Sequence, residues 1–236
     1  MRLFLALEIP EAVRREVARR VAGLRERLPR ARWVNTDILH LTLLFFGQVE
    51  EAKVSGLAAS LREAFAKHPP LDLRLEGGGS FPPRRPARVA WIGLEAPEDL
   101  AALQADATQA AVASIGFEPE DRPFHPHVTL ARCEPPWPKD AAEKFASAFP
   151  GTIGQPWVAD HGVLFESKLS PRGPSYRAVE ILPLGPLTPD PSPIPSLPPG
   201  EGRPLPPGKE EDSSSFPPSP GRGERMGEGG QGGEGP

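Results

Sequence analysis

The sequence holds a single cysteine, Cys133, which excludes an internal disulfide framework and a Cys-rich zinc site. It lacks any run of about 20 consecutive apolar residues, the length a membrane-crossing helix needs. The apolar start, Met1 to Ile9, is closed by Pro10 and Glu11, too soon for a secretory leader, and a cytoplasmic protein is expected. No P-loop of the form G-x-x-x-x-G-K-[ST] occurs, which argues against ligation driven by a nucleoside triphosphate. An excess of positive charge is missing as well. The net charge of −4 belongs to the segment from Gly185 to Pro236, with eight acidic and four basic residues. Residues 1–184 are formally neutral, with 23 of each sign. Bulk charge therefore gives no support for general nucleic-acid binding, and an anionic ligand needs a local site.

Proline (33) and glycine (24) make up about a quarter of the chain and crowd into its last fifty residues. That segment has almost no aromatic residue besides Phe216 and too little apolar surface to offset its ordering entropy. Residues 185–236 are expected to be a disordered tail with local polyproline-II character. The tail reads either as a ligand for an SH3-like or WW-like domain or as an unselected extension. Residues 1–184 are long enough for one sizeable core.

In that body, strand and helix patterns alternate. Strands are expected at 2–8, 32–34, 40–46, 71–76, 88–94, 127–132, 157–167 and 176–182. Helices are expected at 10–28, 49–67, 97–114 and 139–148. The first of them has Val13, Val17, Val21, Leu24 and Leu28 on one face, with arginines and glutamates on the other. The segment 77–87, with three glycines and the Pro82-Pro83 pair, reads as a loop. This order predicts an α+β domain of two sheet-and-helix halves.

Each half contains the same short motif. "HLTL" at 40–43 and "HVTL" at 127–130 are both His-x-Thr-Leu in predicted strands. Five His and six Thr in this chain give about 0.1 chance matches to His-x-Thr, so two matches in matching contexts are informative. In a strand, residues i and i+2 share a face about 6.5–7 Å apart. His40 and Thr42 therefore point one way and Leu41 and Leu43 the other; His127 and Thr129 oppose Val128 and Leu130 in the same manner. Two such strands across a groove would bring two imidazoles and two hydroxyls together, a receptacle for a phosphate. Imidazole is unperturbed near pKa 6.5 and can act as acid or base at neutral pH. In-line displacement at phosphorus needs one of each, and a histidine pair can supply both without a metal.

With these motifs and their flanks the body resembles the two-histidine phosphoesterase superfamily. It is most similar to the bacterial RNA 2′,3′-cyclic phosphodiesterases, also called 2′-5′ RNA ligases. The resemblance runs over about residues 1–183 through "RLFLALEIP", "WVNTDILHLTLLFFGQV", "GGGSFPPRRPARVAWIGL", "RPFHPHVTLAR" and "VLFESKLSPRGPSYRAVEILPL". It implies a bilobal fold with pseudo-twofold symmetry and the site in the groove between lobes. It implies hydrolysis of an RNA 2′,3′-cyclic phosphate terminus to a 2′-phosphomonoester, with His40 as proton donor to the leaving 3′ oxygen and His127 as the base for water. Thr42 and Thr129 would hold the phosphate. The motif spacing alone does not tell the two histidines apart.

Other candidates are weaker. Arg132 suits phosphate geometry, but at five residues after His127 a regular strand turns it to the wrong face unless a bulge intervenes. Phe46 shares His40's face in a regular strand and is a candidate for stacking on a base, with core packing as the alternative. Tyr176, Arg84, Arg85 and Arg88 are candidates for an RNA path. His125-Pro126-His127 brings two histidines together, but no carboxylate or Cys cluster accompanies them, so no metal or other cofactor is expected. Cys133, His68 and His161 read as structural. The expected partner is RNA or a nucleotide with a cyclic phosphate end, and the protein is expected to be monomeric and away from membranes. The competing functions are cyclic-phosphate hydrolysis on small nucleotides or tRNA fragments, reversible 2′-5′ ligation, and a binder without catalysis.

Overall fold

The computed structural model describes residues 1–83, 86–95, 98–170 and 173–186. The expectation of a disordered tail at 185–236 therefore lies outside the described residues, apart from Gly185 and Pro186. The strands form two wholly antiparallel sheets. The first has four strands in the order β3 (His40–Gln48), β1 (Arg2–Glu8), β8 (His161–Ser170), β9 (Gly173–Pro183). The second has five in the order β2 (Arg32–Trp33), β6 (His127–Trp137), β5 (Ala87–Glu95), β4 (Leu71–Phe81), β7 (Thr152–Ala159). Both sheets lie within one compact unit, Met1–Ser192.

The helices are exchanged between the sheets. Helix α1 (Glu11–Arg25) follows β1 of the first sheet but packs on the second, beside β7. Helix α3 (Glu98–Ile115) follows β5 of the second sheet but joins α2 (Glu51–Phe65) on the first. Helix α4 (Lys139–Ser147) covers β4 and β5. Two apolar cores result. One joins Leu3, Leu5 and Leu7 to Leu57, Leu61, Leu103 and Ala107; the other joins Val13, Val17 and Val21 to Ile92, Val128 and Phe145. The valine stripe of α1 is buried as its spacing requires, and each such side chain contributes about 1.5–3 kcal/mol. Two α+β halves, each a sheet with a helix pair, match the expected bilobal architecture.

Two expectations need correcting. Residues 77–81 are strand rather than the first part of a loop: β4 continues through all three glycines to Phe81. The glycines answer to packing, since a Cβ on Gly79 would lie 2.3 Å from the Trp91 ring and one on Gly78 would lie 3.0 Å from Ala146 of α4. Nor is 157–167 one strand. β7 ends at Ala159, which pairs with Leu71 in the five-stranded sheet, and β8 starts at His161, which pairs with Pro183 in the other. Asp160 alone makes the crossing, and its carbonyl accepts a hydrogen bond from the Leu184 N–H at 2.8 Å. Alternation of apolar residues runs on through the crossing and hides it.

Candidate active site

The two His-x-Thr motifs occupy facing borders of the sheets. β3 is the edge strand of the first, and β6 lies one strand in from the edge of the second, covered only by the two residues of β2. β3 and β6 approach each other, and Thr42 and Thr129 line a common cavity of about 840 Å³.

Each motif strand carries a bulge at the same place. On β3, Ala6 pairs with Thr42 and Leu5 with Leu44, so Leu43 is the extra residue. On β6, Trp91 pairs with Thr129 and Ala90 with Ala131, so Leu130 is the extra residue. The two buried neighbours that result, Leu43 with Leu44 and Leu130 with Ala131, break the period-two alternation. A one-residue insertion reverses every side chain beyond it. The fifth residue after each histidine therefore returns to the site face: Phe45 after His40 and Arg132 after His127, both lining the cavity.

The imidazoles are held alike. Nδ1 of His40 donates to the Ile38 carbonyl at 2.9 Å, and Nδ1 of His127 donates to the His125 carbonyl at 2.7 Å. A carbonyl can only accept, so Nδ1 carries the proton on each ring, and in the neutral state Nε2 keeps its lone pair for chemistry. Aromatic rings fix the planes. Phe4 lies 4.9 Å from His40, and Tyr176 stands nearly perpendicular to it at 5.3 Å. Phe81 stands nearly perpendicular to His127 at 5.1 Å, and Trp91 lies 6.0 Å away. Burial pushes both imidazoles below their ordinary pKa, against the opposing effect of the carbonyl bonds; charge on His125 lowers His127 further.

The cavity wall is cationic. Arg2, Arg32 and Arg132 all line it. Arg2 sits over the Phe45 ring at 4.9 Å, and Arg32 pairs with Glu134 at 2.7 Å. Among the described residues Arg132 makes no hydrogen bond or ion pair, and neither threonine hydroxyl has a partner. The arrangement offers unspent donors and positive charge to an anion beside the oriented imidazole of His40.

The cavity thus brings His40, Thr42, Thr129 and Arg132 together. His127 is not among its lining residues, although it shares the face of Thr129 two positions away. Phe46 lies elsewhere: its ring meets Phe117 at 5.3 Å and packs against the core of the first sheet. The geometric expectation for Phe46 is corrected, because the bulge at Leu43 turns Phe45 to the site instead. Tyr176 lines the cavity, Arg88 is exposed and does not, and Arg84 and Arg85 lie outside the described residues. His68 is buried and binds Asp106 at 2.9 Å; His161 binds Asp160 at 2.6 Å. Burial pushes the Cys133 thiol up to about 11. Among the described residues no group of three or more His, Cys, Asp or Glu is placed to hold a metal ion. Sequence reasoning missed Arg2, Arg32 and Phe45. The paired apolar residues after each threonine were the available signal for Phe45.

A family model described as the 2′-5′ RNA ligase superfamily matches residues 10–160. The RNA 2′,3′-cyclic phosphodiesterase of Methanothermobacter thermautotrophicus is 33% identical over 182 residues, covering 77% of this chain and 97% of that protein. The protein of the same name from Thermus thermophilus is 32% identical over 188 residues, covering 76% and 88%. Among solved structures, TT0787 of Thermus thermophilus aligns with a TM-score of 0.64 at 30% identity, covering 79% of this chain and 99% of that one. E. coli LigT complexed with 3′-AMP aligns with a TM-score of 0.62 at 26% identity, covering 78% and 97%.

Proposed function

We propose, from the 2′-5′ RNA ligase superfamily to which this chain belongs, that it hydrolyses 2′,3′-cyclic phosphate termini of RNA to 2′-phosphomonoesters. The observation that carries the proposal is the duplicated site itself. Two imidazoles are tied through Nδ1 to backbone carbonyls, and each is followed by a threonine whose hydroxyl has no partner among the described residues.

The cyclic phosphate sits between Thr42 and Thr129, whose hydroxyls donate to its non-bridging oxygens. Arg132 supplies fixed positive charge beside the developing pentacoordinate phosphorus. His127 takes a proton from water as the water oxygen attacks phosphorus. The bond from phosphorus to the 3′ oxygen breaks on the opposite side, and His40, in its imidazolium form, gives that oxygen a proton. One water is consumed, the 2′ ester is kept, and the protons exchanged between the two rings balance through solvent. The donor and acceptor roles follow the family, since both rings are held in the same way. General acid–base catalysis of this kind contributes about 10²–10⁴-fold per group. We place the protein in the cytoplasm as a monomer that works without a metal; no helix among the described residues is long and apolar enough to cross a membrane.

The test is a short RNA with a terminal 2′,3′-cyclic phosphate, incubated with purified protein in EDTA, and identification of the product. A 2′-phosphate supports the proposal. His40→Ala and His127→Ala should each lower turnover by about 10³-fold or more while remaining folded. A 3′-phosphate product would reverse the assigned regiochemistry, and wild-type turnover in either variant would overturn the mechanism.

A further inference from the structure

The body of the chain is formally neutral, yet the connection from α1 to β2 is not. Arg25, Arg27, Arg30 and Arg32 stand there against one acid, Glu26, and all four arginines are exposed. The connection is held in place. The Trp137 indole N–H donates to the Arg30 carbonyl at 3.2 Å, and Lys144 Nζ donates to the Arg27 carbonyl at 3.3 Å, bringing a fifth cation to the strip. The Arg25 guanidinium lies 5.8 Å from the centre of the Trp33 ring. The strip runs into the catalytic cavity, where Arg32 and Trp33 form part of the wall.

At the point of entry the pairing is unusual. Arg32 on β2 is the direct cross-strand partner of Arg132 on β6. Like charges in that relation are destabilising. The one acid paired with either of them among the described residues is Glu134, an exposed carboxylate on Arg32, and exposed pairs of this kind contribute little. Among the described residues the side chains of Arg27, Arg30 and Arg132 have no hydrogen-bond or ion-pair partner. Two arginines directly opposite each other across the strands, both lining the cavity and with so little to neutralise them, are suited to a phosphate.

We infer that the Arg25–Arg32 strip binds the phosphodiester that precedes the cyclic terminus, so that the protein selects oligoribonucleotides over mononucleotides. The inference rests on the proposed activity. The cyclic phosphate occupies the threonines, and a mononucleotide has no second phosphate to offer. An oligonucleotide lays its next phosphate on Arg32, with Arg132 lying between it and the cyclic phosphate, and runs out along Arg30 and Arg25. Glu134 is the resident competitor that this phosphate displaces from Arg32.

The test measures binding rather than turnover, so that it is independent of the reaction. A labelled pentaribonucleotide ending in a 2′-phosphate is titrated by fluorescence anisotropy at several salt concentrations, with 2′-AMP as the short ligand in competition. The double variant Arg30→Gln, Arg32→Gln should weaken pentanucleotide binding about tenfold or more, the size of one or two charge-assisted hydrogen bonds. The slope of log K against log salt should become shallower by about 0.7 for each phosphate that the variant no longer neutralises. The factor for 2′-AMP should be much smaller. Glu134→Gln should act in the opposite direction, tightening pentanucleotide binding by about two- to fivefold. Equal factors for both ligands, an unchanged salt slope, or weaker binding in Glu134→Gln would each overturn the inference. Absence of cyclic-phosphate hydrolysis by the wild type would instead sink the enzymatic reading, and the binding data would still decide the strip.

Discussion

Replacing Gly79 with alanine tests how tightly the second motif is braced. A Cβ at this position would fall 2.3 Å from two carbon atoms of the Trp91 ring and 2.8 Å from a third. Carbon atoms rest at about 3.5–4.0 Å, so the indole has to withdraw by more than about 1 Å. It has nowhere neutral to go. Trp91 packs against Phe81 at 5.1 Å, against His125 at 4.9 Å and against His127 at 6.0 Å, and its own N–H is buried without a partner among the described residues. Overpacking of this sort costs about 1–3 kcal/mol. Because the displaced ring borders the imidazole, misplacement on this scale should also lower the rate about a hundredfold.

The control is Gly116→Ala. Gly116 has φ +68° just past the end of α3, with open space around its missing Cβ. Alanine there costs about 1 kcal/mol through backbone strain alone. Urea denaturation and single-turnover hydrolysis of a cyclic-phosphate RNA should separate the two. Gly79→Ala should lose both stability and rate; Gly116→Ala should lose stability and keep its rate. Wild-type rate in Gly79→Ala, with its unfolding midpoint lowered, would refute the claim that Trp91 holds His127 in place.

Phe45→Ala should impair substrate binding with little change in unfolding midpoint, because the ring is 48% exposed at the cavity; Phe46→Ala, which empties a ring packed on Phe117, should cost about 2–3 kcal/mol and leave the rate close to wild type. The pH optimum of kcat/KM should lie below 6.5, because the profile of a neutral base with a charged acid peaks midway between their pKa values, and burial lowers both in the free protein; an optimum above pH 7 would contradict this. Stability follows from the same burial. Well above pH 6.5 these rings are neutral folded or unfolded, but as the pH falls through about 6.5 the unfolded chain binds protons that the folded rings refuse, so the unfolding free energy falls until the folded values are passed. Urea denaturation at about pH 7.5 and 5.5 should show that loss reduced in the His40→Asn, His127→Asn double variant. Cys133, with its thiol pushed up to about 11 and its side chain buried, should resist alkylation at neutral pH until urea unfolds the chain.

What the sequence made legible was whatever local period encodes. The valine stripe of α1, the stripes of α2 and α3, and the alternation in β1, β3 and β6 name their own partners, water or core. The crossing at Asp160 was illegible because alternation in 157–167 does not change where the chain changes sheet; only its pairing partners, Leu71 and then Pro183, record the switch. The strand at 77–81 was hidden for a different reason. Its glycines look like turn residues, and the cause of their presence, Trp91 and α4 lying against the strand, is a long-range contact.

The site shows the same division one level down. His40, Thr42, His127 and Thr129 could be placed on common faces from spacing alone, but two residues further on the spacing misleads. A regular strand assigns Phe46 to the cavity and Arg132 to the core side; the bulges at Leu43 and Leu130 reverse both. The reversal is not an accident of one lobe, since it occurs three residues after each histidine. In both strands it is accompanied by two consecutive buried apolar residues where alternation calls for one. A bulge therefore does the same work twice. It lets a strand that must bury Leu41 or Val128 beside the histidine present Phe45 or Arg132 to the ligand further along. The two lobes then differ where the ligand is asymmetric. One presents an aromatic ring under Arg2, suited to an apolar face, and the other presents a guanidinium without an ion pair among the described residues, suited to a phosphate. A duplicated scaffold with unlike residues at the equivalent fifth position is what a site needs to hold a nucleotide in one orientation between two otherwise interchangeable histidines.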